Sequence, residues 1–309
     1  MIAFVFPGQG SQRVGMGRAF AEQEPLARET FAEADDALGF ALSRLCFEGP
    51  EDQLTLTENT QPAILTVSVA IARVLAARGL EPDFYAGHSL GEYSAHVAAG
   101  TIAFCDAVRI VRARGRYMQE AVPVGEGAMA AILGLDAAEV TRACEEAAQG
   151  EVVSPANLNA PGQVVIAGTA AAVARAGAAA KARGAKRVIP LQVSAPFHCA
   201  LMKPAEDRLA PELRALSVRD PRRPVVANVD AEPKRDGASA IEALVRQVSG
   251  AVRWEEVVRR LASEGVRTYV EVGPGTVLTG LVRKIDREAR TASIEEPAGL
   301  DALTGLLAS

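Results

Sequence analysis

This 309-residue chain has no segment dominated by charge of one sign. Its 33 Lys and Arg are interspersed with 38 Asp and Glu, for a net charge of −5, which excludes generic binding to nucleic acid or to an anionic membrane surface. Cysteine is scarce. The four present (Cys46, Cys105, Cys144 and Cys199) lie far apart and form no CxxC pair. That excludes a zinc site and a disulfide framework, and fits a reducing cytoplasm. The first residues, MIAFVFPGQG, lack a basic region and place only five apolar residues before Pro7, so they do not read as a secretory signal. The longest stretch without a charged residue, Val152 to Ala174, contains two Pro, two Asn and several Gly and cannot be a membrane helix.

What is present is a globular composition, 49% hydrophobic and 23% charged, sufficient for a large core. Ile2 to Phe6 reads as a buried strand entering the Gly-rich turn Gly8 to Gln12. A helix is expected over Pro62 to Arg78, a strand over Asp83 to Gly87, and helices over Leu90 to Ala99 and Asp106 to Val122. From Gly127 the order changes. Strand Ala128 to Leu135, helix Asp136 to Gln149, strands Val152 to Asn159 and Gln163 to Ala167, helix Thr169 to Arg183 and strand Lys186 to Val193 form a β-α-β-β-α-β series, the ferredoxin-like signature. The strand Pro224 to Val229, helices Ala238 to Val248 and Trp254 to Ser263, the strand Thr268 to Val272 and a Gly-Pro-Gly turn into a helix complete the chain. The fold class is therefore α/β, with a large parallel-sheet unit (residues 1–125 and 195–309) interrupted by a ferredoxin-like insert (126–194).

Gly87-His88-Ser89-Leu90-Gly91 is a G-x-S-x-G pentapeptide between an expected strand and an expected helix, the setting of a nucleophile elbow. Ser89 needs a base. Of the three histidines, His88 is its neighbour on the elbow and projects elsewhere, and His96 lies two helical turns on. His198 remains, in Ser194-Ala195-Pro196-Phe197-His198. No acidic residue stands in a motif that would orient it, so a backbone or amide carbonyl is the alternative. Acyl transfer also requires two oxyanion donors. Leu90, after the nucleophile, supplies one N–H, and the Gly8 to Gln12 loop is a candidate for the second, or a plain structural turn. Arg112, Arg114 and Arg116 cannot share one helix face. Arg112 and Arg116 can, which turns Arg114 inward to meet either a structural salt bridge, favoured on the residues alone, or a substrate carboxylate.

Together these segments resemble the malonyl-CoA:acyl carrier protein transacylase family, which includes the acyltransferase domains of polyketide synthases. The resemblance rests on Phe6-Pro-Gly-Gln-Gly-Ser-Gln12, Gly87-His-Ser-Leu-Gly-Glu-Tyr-Ser-Ala95, Arg114-Gly-Arg-Tyr-Met-Gln-Glu-Ala121, Asn157-Leu-Asn-Ala-Pro-Gly-Gln-Val-Val-Ile-Ala-Gly168, Phe197-His198 and Glu271-Val-Gly-Pro-Gly275. It implies a hydrolase-like α/β domain with a ferredoxin-like insert and a Ser89–His198 dyad. It implies that the main-chain carbonyl of Gln247 holds the histidine and that the backbone of Gln9 and Leu90 binds the oxyanion. It makes Arg114 the partner of the malonyl carboxylate, reversing the salt-bridge preference, and lines the acyl pocket with Met118. Phe197, immediately before the histidine, resembles the residue typical of malonyl-selecting polyketide acyltransferases.

The expected reaction moves a malonyl group from malonyl-CoA through malonyl-Ser89 to the phosphopantetheine thiol of an acyl carrier protein, with no bound cofactor and no metal. The chain is expected to be a monomer. Carrier proteins are usually acidic, so basic docking residues are sought in Lys181, Arg183, Lys186 and Arg187, or in Arg283 and Lys284, with ordinary solvated charge as the alternative. Competing readings are a serine esterase or thioesterase, a silent docking subunit, and a family member that loads another acyl unit.

Overall fold

The computed structural model describes residues 1–300 and Leu303; positions 301, 302 and 304–309, which close the second segment of the expected large unit, lie outside the described residues. Its strands are β1 (Ile2–Phe6), β2 (Phe84–Gly87), β3 (Gly127–Leu133), β4 (Val153–Ala160), β5 (Gln163–Thr169), β6 (Arg187–Pro190), β7 (Val225–Val226), β8 (Pro233–Lys234), β9 (Thr268–Val272) and β10 (Arg290–Ile294). One sheet has the order β10-β9-β1-β2-β7-β8, parallel except for β8. The apolar run of β1 is continuous because helices cover both faces of the sheet. Phe4 and Phe6 pack into one core with the helices Thr57–Ala77 and Phe104–Glu120, and Ala3 and Val5 into another with Trp254, Leu261 and Leu278.

The second sheet has the order β4-β5-β3-β6 and is antiparallel throughout. Helices Ala137–Ala148 and Ala170–Ala182 pack on it over a separate core. Asp136 caps the first helix by accepting from the Glu139 N–H at 2.8 Å, and Thr169 caps the second. This is the ferredoxin-like arrangement, inserted into an α/β frame. Its strand β4 is tied to the large sheet's side of the molecule by reciprocal backbone bonds, Leu158 N–H to Val252 O and Val252 N–H to Ala156 O, both 2.8 Å.

Several expected boundaries move. The long core helix starts at Thr57, so Pro62 sits in its second turn rather than at its start. Proline removes the bond to the carbonyl four residues back. The first turn is held instead by the Asn59 and Thr60 N–H groups on Leu56 O and by Thr60 Oγ1 on Leu54 O. This helix is apolar and long enough to cross a membrane, but most of it is buried inside the protein. The strand expected over Lys186 to Val193 ends at Pro190, because after one more bond, Leu191 N–H to Met129 O, the chain leaves the sheet. Pro224 to Val229 shortens to two paired residues, since Ala227 turns into the β7–β8 hairpin. The short helices between Arg18 and Leu54 and the helix Lys203–Arg214 had no expectation attached. The Glu271-Val-Gly-Pro-Gly275 segment acquires a structural role. Glu271, at the end of β9, accepts from the Leu278 and Thr279 N–H groups at 3.0 and 2.8 Å and so caps the helix Val277–Ile285.

The turns after β1 and β2 meet at the carboxyl edge of the sheet, the end where parallel α/β proteins place ligands. Their contact is backbone on backbone. A Cβ at Gly91 would lie 2.0 Å from the Phe6 carbonyl oxygen, and a Cβ at Gly87 2.0 Å from the Gly91 carbonyl. Gly91→Ala is therefore expected to lower stability by ~3 kcal/mol or more, since neither strand can yield. Gly280→Ala, in a helix with nothing within 4 Å of the added carbon, is expected to be neutral or to stabilise by up to ~1 kcal/mol. Thermal unfolding of the two variants checks both.

Candidate active site

The elbow forces Ser89 into φ 52°, ψ −105°, a region that non-glycine residues rarely occupy. Its Oγ then lies 2.7 Å from His198 Nε2. His198 is itself at φ 60°, delivered by the segment that leaves β6, and is only 4% exposed. Its Nδ1 faces two acceptors, the main-chain carbonyls of Gln247 at 3.0 Å and Gly250 at 3.1 Å. Both require a donor, so the proton sits on Nδ1 and Nε2 presents a lone pair to the serine hydroxyl. Burial, then the positive Arg114 and His88 nearby, lowers the His198 pKa to about 3. The imidazole is thus neutral at physiological pH. The other histidines are elsewhere engaged. His88 Nε2 meets Asn159 Oδ1 at 2.8 Å beside the Trp254 ring, and His96 is buried with Nδ1 3.4 Å from Thr101 Oγ1.

Arg114 is 2% exposed, whereas Arg112 and Arg116 lie outward over Phe40 and Tyr117. Its Nη1 donates to Gln61 Oε1 at 2.9 Å, and its Nη2 donates to Gln247 Oε1 at 2.9 Å and to Ser89 Oγ at 3.1 Å. Its Nε has no acceptor among the described residues. The salt-bridge alternative is not realised, since no carboxylate of the described residues forms an ion pair with Arg114. Arg114 is thus a buried cation whose hydrogen-bond acceptors are neutral and include the serine oxygen.

These residues line a cavity of about 430 Å³ between the two sheets, with Met118, Met129 and Phe197 as its apolar wall. Gln9 enters it from the turn after β1. Its side chain donates to Thr57 Oγ1, which lies 3.1 Å from Ser194 Oγ. No described residue accepts a hydrogen bond from the backbone N–H of Gln9 or of Leu90. Met118 is 1% and Phe197 9% exposed. A larger groove of about 720 Å³ lies between helix 170–182 and strands β3 and β6. Its lining is apolar except for Lys181, Lys186 and Arg187 and contains no Ser, Thr, Cys, His, Asp or Glu. Of the basic residues considered for docking, Arg183 is paired with Glu139 and Glu146. Lys181 bonds to the Lys186 carbonyl, Arg283 to Thr291 and Lys284 to Gln163. Among the described residues no group of three His, Cys, Asp or Glu is placed to hold a metal ion.

Sequence reasoning did not find Gln61, Asn228, the Gly250 carbonyl or the Gln247 side chain. Asn228 Oδ1 accepts from the Ser89 N–H at 2.7 Å, and its Nδ2 donates to Gly87 O at 2.7 Å. None of these stands in a pattern that chemistry alone would single out. Gln61 stands just before Pro62, outside the helix expected from the sequence and inside the one that forms.

Comparison with known proteins agrees with this arrangement. Over 301 residues the chain is 56% identical to the malonyl CoA-acyl carrier protein transacylase of Escherichia coli (strain K12), covering 97% of each chain. It is 51% identical to the transacylase of the same name from Bacillus subtilis, covering 97% of this chain and 95% of that one. Among solved structures it superposes with a TM-score of 0.96 on an acyl carrier protein S-malonyltransferase from Vibrio cholerae, at 51% identity, covering 98% of this chain and 99% of that one. The same TM-score and identity hold for a malonyl-transacylase solved in complex with a holo type II PKS acyl-carrier protein, covering 100% of this chain and 99% of that chain. The family described as "Acyl transferase domain" matches residues 3–300, and the chain belongs to that family.

Proposed function

We propose that this protein is a serine acyltransferase that moves a malonyl group from malonyl-CoA to the phosphopantetheine thiol of an acyl carrier protein, for fatty-acid or polyketide synthesis. The observation that carries the substrate assignment is the buried guanidinium of Arg114, without an ion-pair partner among the described residues and 3.1 Å from the Ser89 hydroxyl oxygen. An acyl group attached to Ser89 must fold its distal end back onto that fork. A carboxylate one methylene from the reacting carbonyl meets this demand, and a longer dicarboxylate has surplus chain to accommodate beside Met118 and Phe197.

In the proposed reaction the carboxylate binds Arg114. Ser89 Oγ attacks the thioester carbonyl while its proton passes to His198 Nε2. The tetrahedral oxyanion is met by the N–H groups of Gln9 and Leu90. His198 returns the proton to the departing thiolate, so coenzyme A leaves as the thiol and malonyl-Ser89 remains. The carrier-protein thiol repeats the sequence in reverse: its proton goes to His198, its sulfur attacks the ester carbonyl, and the proton passes to Ser89 as the C–O bond breaks. The thiol is carried by the partner, and no resident cofactor takes part. A cytoplasmic site of action belongs to the proposal, and the four free cysteines fit a reducing compartment.

Two outcomes are expected. Mixed with malonyl-CoA and acetyl-CoA in competition, the wild-type protein is expected to gain a malonyl adduct in its intact mass and Ser89→Ala none. Arg114→Ala is expected to lose about a hundredfold in malonyl loading, the worth of a buried charge-assisted fork, with a smaller loss for acetyl. An unchanged malonyl preference in Arg114→Ala would sink the carboxylate role. Second, the pKa values of His198 and His96 are both lowered to about 3 by burial, so each is deprotonated above that pH and the fold carries no imidazolium at either position near neutrality. Imidazole NMR shifts recorded from pH 8 to pH 5 are therefore expected to stay at neutral-form values for both residues. Titration of His198 near 6.5 would contradict this.

A further inference from the structure

Beneath the elbow, fully buried, lie Glu92, Asn228 and the side chain of Gln247, none of which touches the reacting atoms in the proposed chemistry. Glu92 Oε2 accepts from the Asn228 backbone N–H at 3.0 Å and from Gln247 Nε2 at 2.8 Å, while its Oε1 has no partner among the described residues. Gln247 Nε2 also donates to the Ser89 carbonyl at 2.9 Å, and Gln247 Oε1 accepts from Arg114 Nη2 at 2.9 Å. One glutamine therefore touches the nucleophile's backbone, the guanidinium and, through its own main-chain carbonyl, the histidine.

A side-chain amide has a donor end and an acceptor end of nearly equal shape. The end of Gln247 that faces Glu92 and the Ser89 carbonyl meets two acceptors and must be the NH₂ group. The carbonyl is thereby left for Arg114. Turned over, the amide would set NH₂ against the guanidinium, donor against donor, and its oxygen against the carboxylate. Without Glu92 the NH₂ end would lose its shortest acceptor, leaving the Ser89 carbonyl and, at 3.5 Å, Asn228 Oδ1 to hold the amide against Arg114. We propose that Glu92 is a positioning residue: its Oε2 fixes the Gln247 amide so that Arg114 is aimed at the acyl carboxylate, and it steadies the Asn228 that holds the strained Ser89. This inference rests on reading Arg114 as the carboxylate's partner. Burial raises the Glu92 carboxyl to about 7, against the pull of its hydrogen bonds to Gln247 and Asn228. Its role does not depend on ionisation, because a proton on the free Oε1 leaves Oε2 accepting both bonds.

The test uses four single variants, one double variant and the ratio of malonyl to acetyl loading on Ser89 in competition, read by intact mass, with thermal unfolding recorded alongside. Glu92→Met removes the acceptor at similar length. Glu92→Gln keeps a carbonyl able to accept both bonds. Gln247→Met removes the amide and leaves the main-chain carbonyl on His198. Arg114→Ala reports on the parent reading. Glu92→Met and Gln247→Met are each expected to lower the ratio about tenfold, the effect of one misaligned charge-assisted hydrogen bond. Glu92→Gln is expected to retain most of it. The Glu92→Met/Gln247→Met double variant is expected to lose no more than either single one, as for residues acting as a unit. A wild-type ratio in Gln247→Met, equal losses in Glu92→Gln and Glu92→Met, or a double variant whose loss is the product of the singles would overturn the inference. Should Glu92→Met fail to fold, Gln247→Met and Glu92→Gln decide alone: loss in the first with retention in the second supports it, and any other result overturns it. If Arg114→Ala loses the malonyl preference while the other variants keep it, only this inference fails. If Arg114→Ala keeps the preference, the parent reading fails and takes the inference with it.

Discussion

The approach of Gly91 to the Phe6 carbonyl is the contact on which the site geometry depends. Two parallel neighbouring strands end together, and the turns that follow them touch through bare backbone. That contact leaves Ser89 at a positive φ at the start of its helix and places the Gln9 turn beside it. Neither turn alone would make a site. A side chain at either elbow glycine, or at Gly8, whose Cβ would lie 2.5 Å from the His88 carbonyl oxygen, would push the two turns apart. The core exists in large part to hold this edge. Apolar β1 is buried on both faces, and the helix beginning at Leu90 packs against β1 and β2.

Electrostatics then follow from desolvation. The cavity region contains a cation without a carboxylate contact and a histidine without an acid. In water either arrangement would be unremarked. Buried, the guanidinium is held by glutamine and serine oxygens that satisfy its N–H groups without neutralising its charge. Burial keeps protons off His198, and the same positive charge adds to the effect. On the proposed reading this charge polarises the site toward an incoming anion.

Much of this was legible in the sequence because the decisive residues stand in short local patterns. A pentapeptide with strand before and helix after identifies Ser89, and three histidines can be sorted by elimination. The ferredoxin-like insert was visible in the alternation of elements, and its two helices begin directly after Asp136 and Thr169, whose side chains cap them. Legibility fails where partners meet only through the fold. Asn228 and the Gln247 side chain are more than a hundred residues from Ser89, and the resemblance pointed only to the Gln247 main-chain carbonyl. Glu92 stood inside a recognised motif, yet an acidic residue in a first helical turn reads as a complement to the helix dipole. Pro62 misled for a related reason: proline announces a helix start by local chemistry, and here the tertiary core extends the helix past it.

The pair of backbone carbonyls on His198 Nδ1 has a consequence for how the dyad is completed. Where a triad keeps a permanent carboxylate behind the imidazole, this protein offers only neutral dipoles. An imidazolium formed here faces Arg114, and no carboxylate of the described residues contacts either group. On the proposed reading the missing negative charge arrives with the acyl group. The malonyl carboxylate, seated on Arg114, offsets the charge that adds to burial in suppressing protonation of His198, so the substrate returns part of the basicity of the residue that must deprotonate the serine. An uncharged acyl group brings no such compensation and meets a base still held in its weakened state.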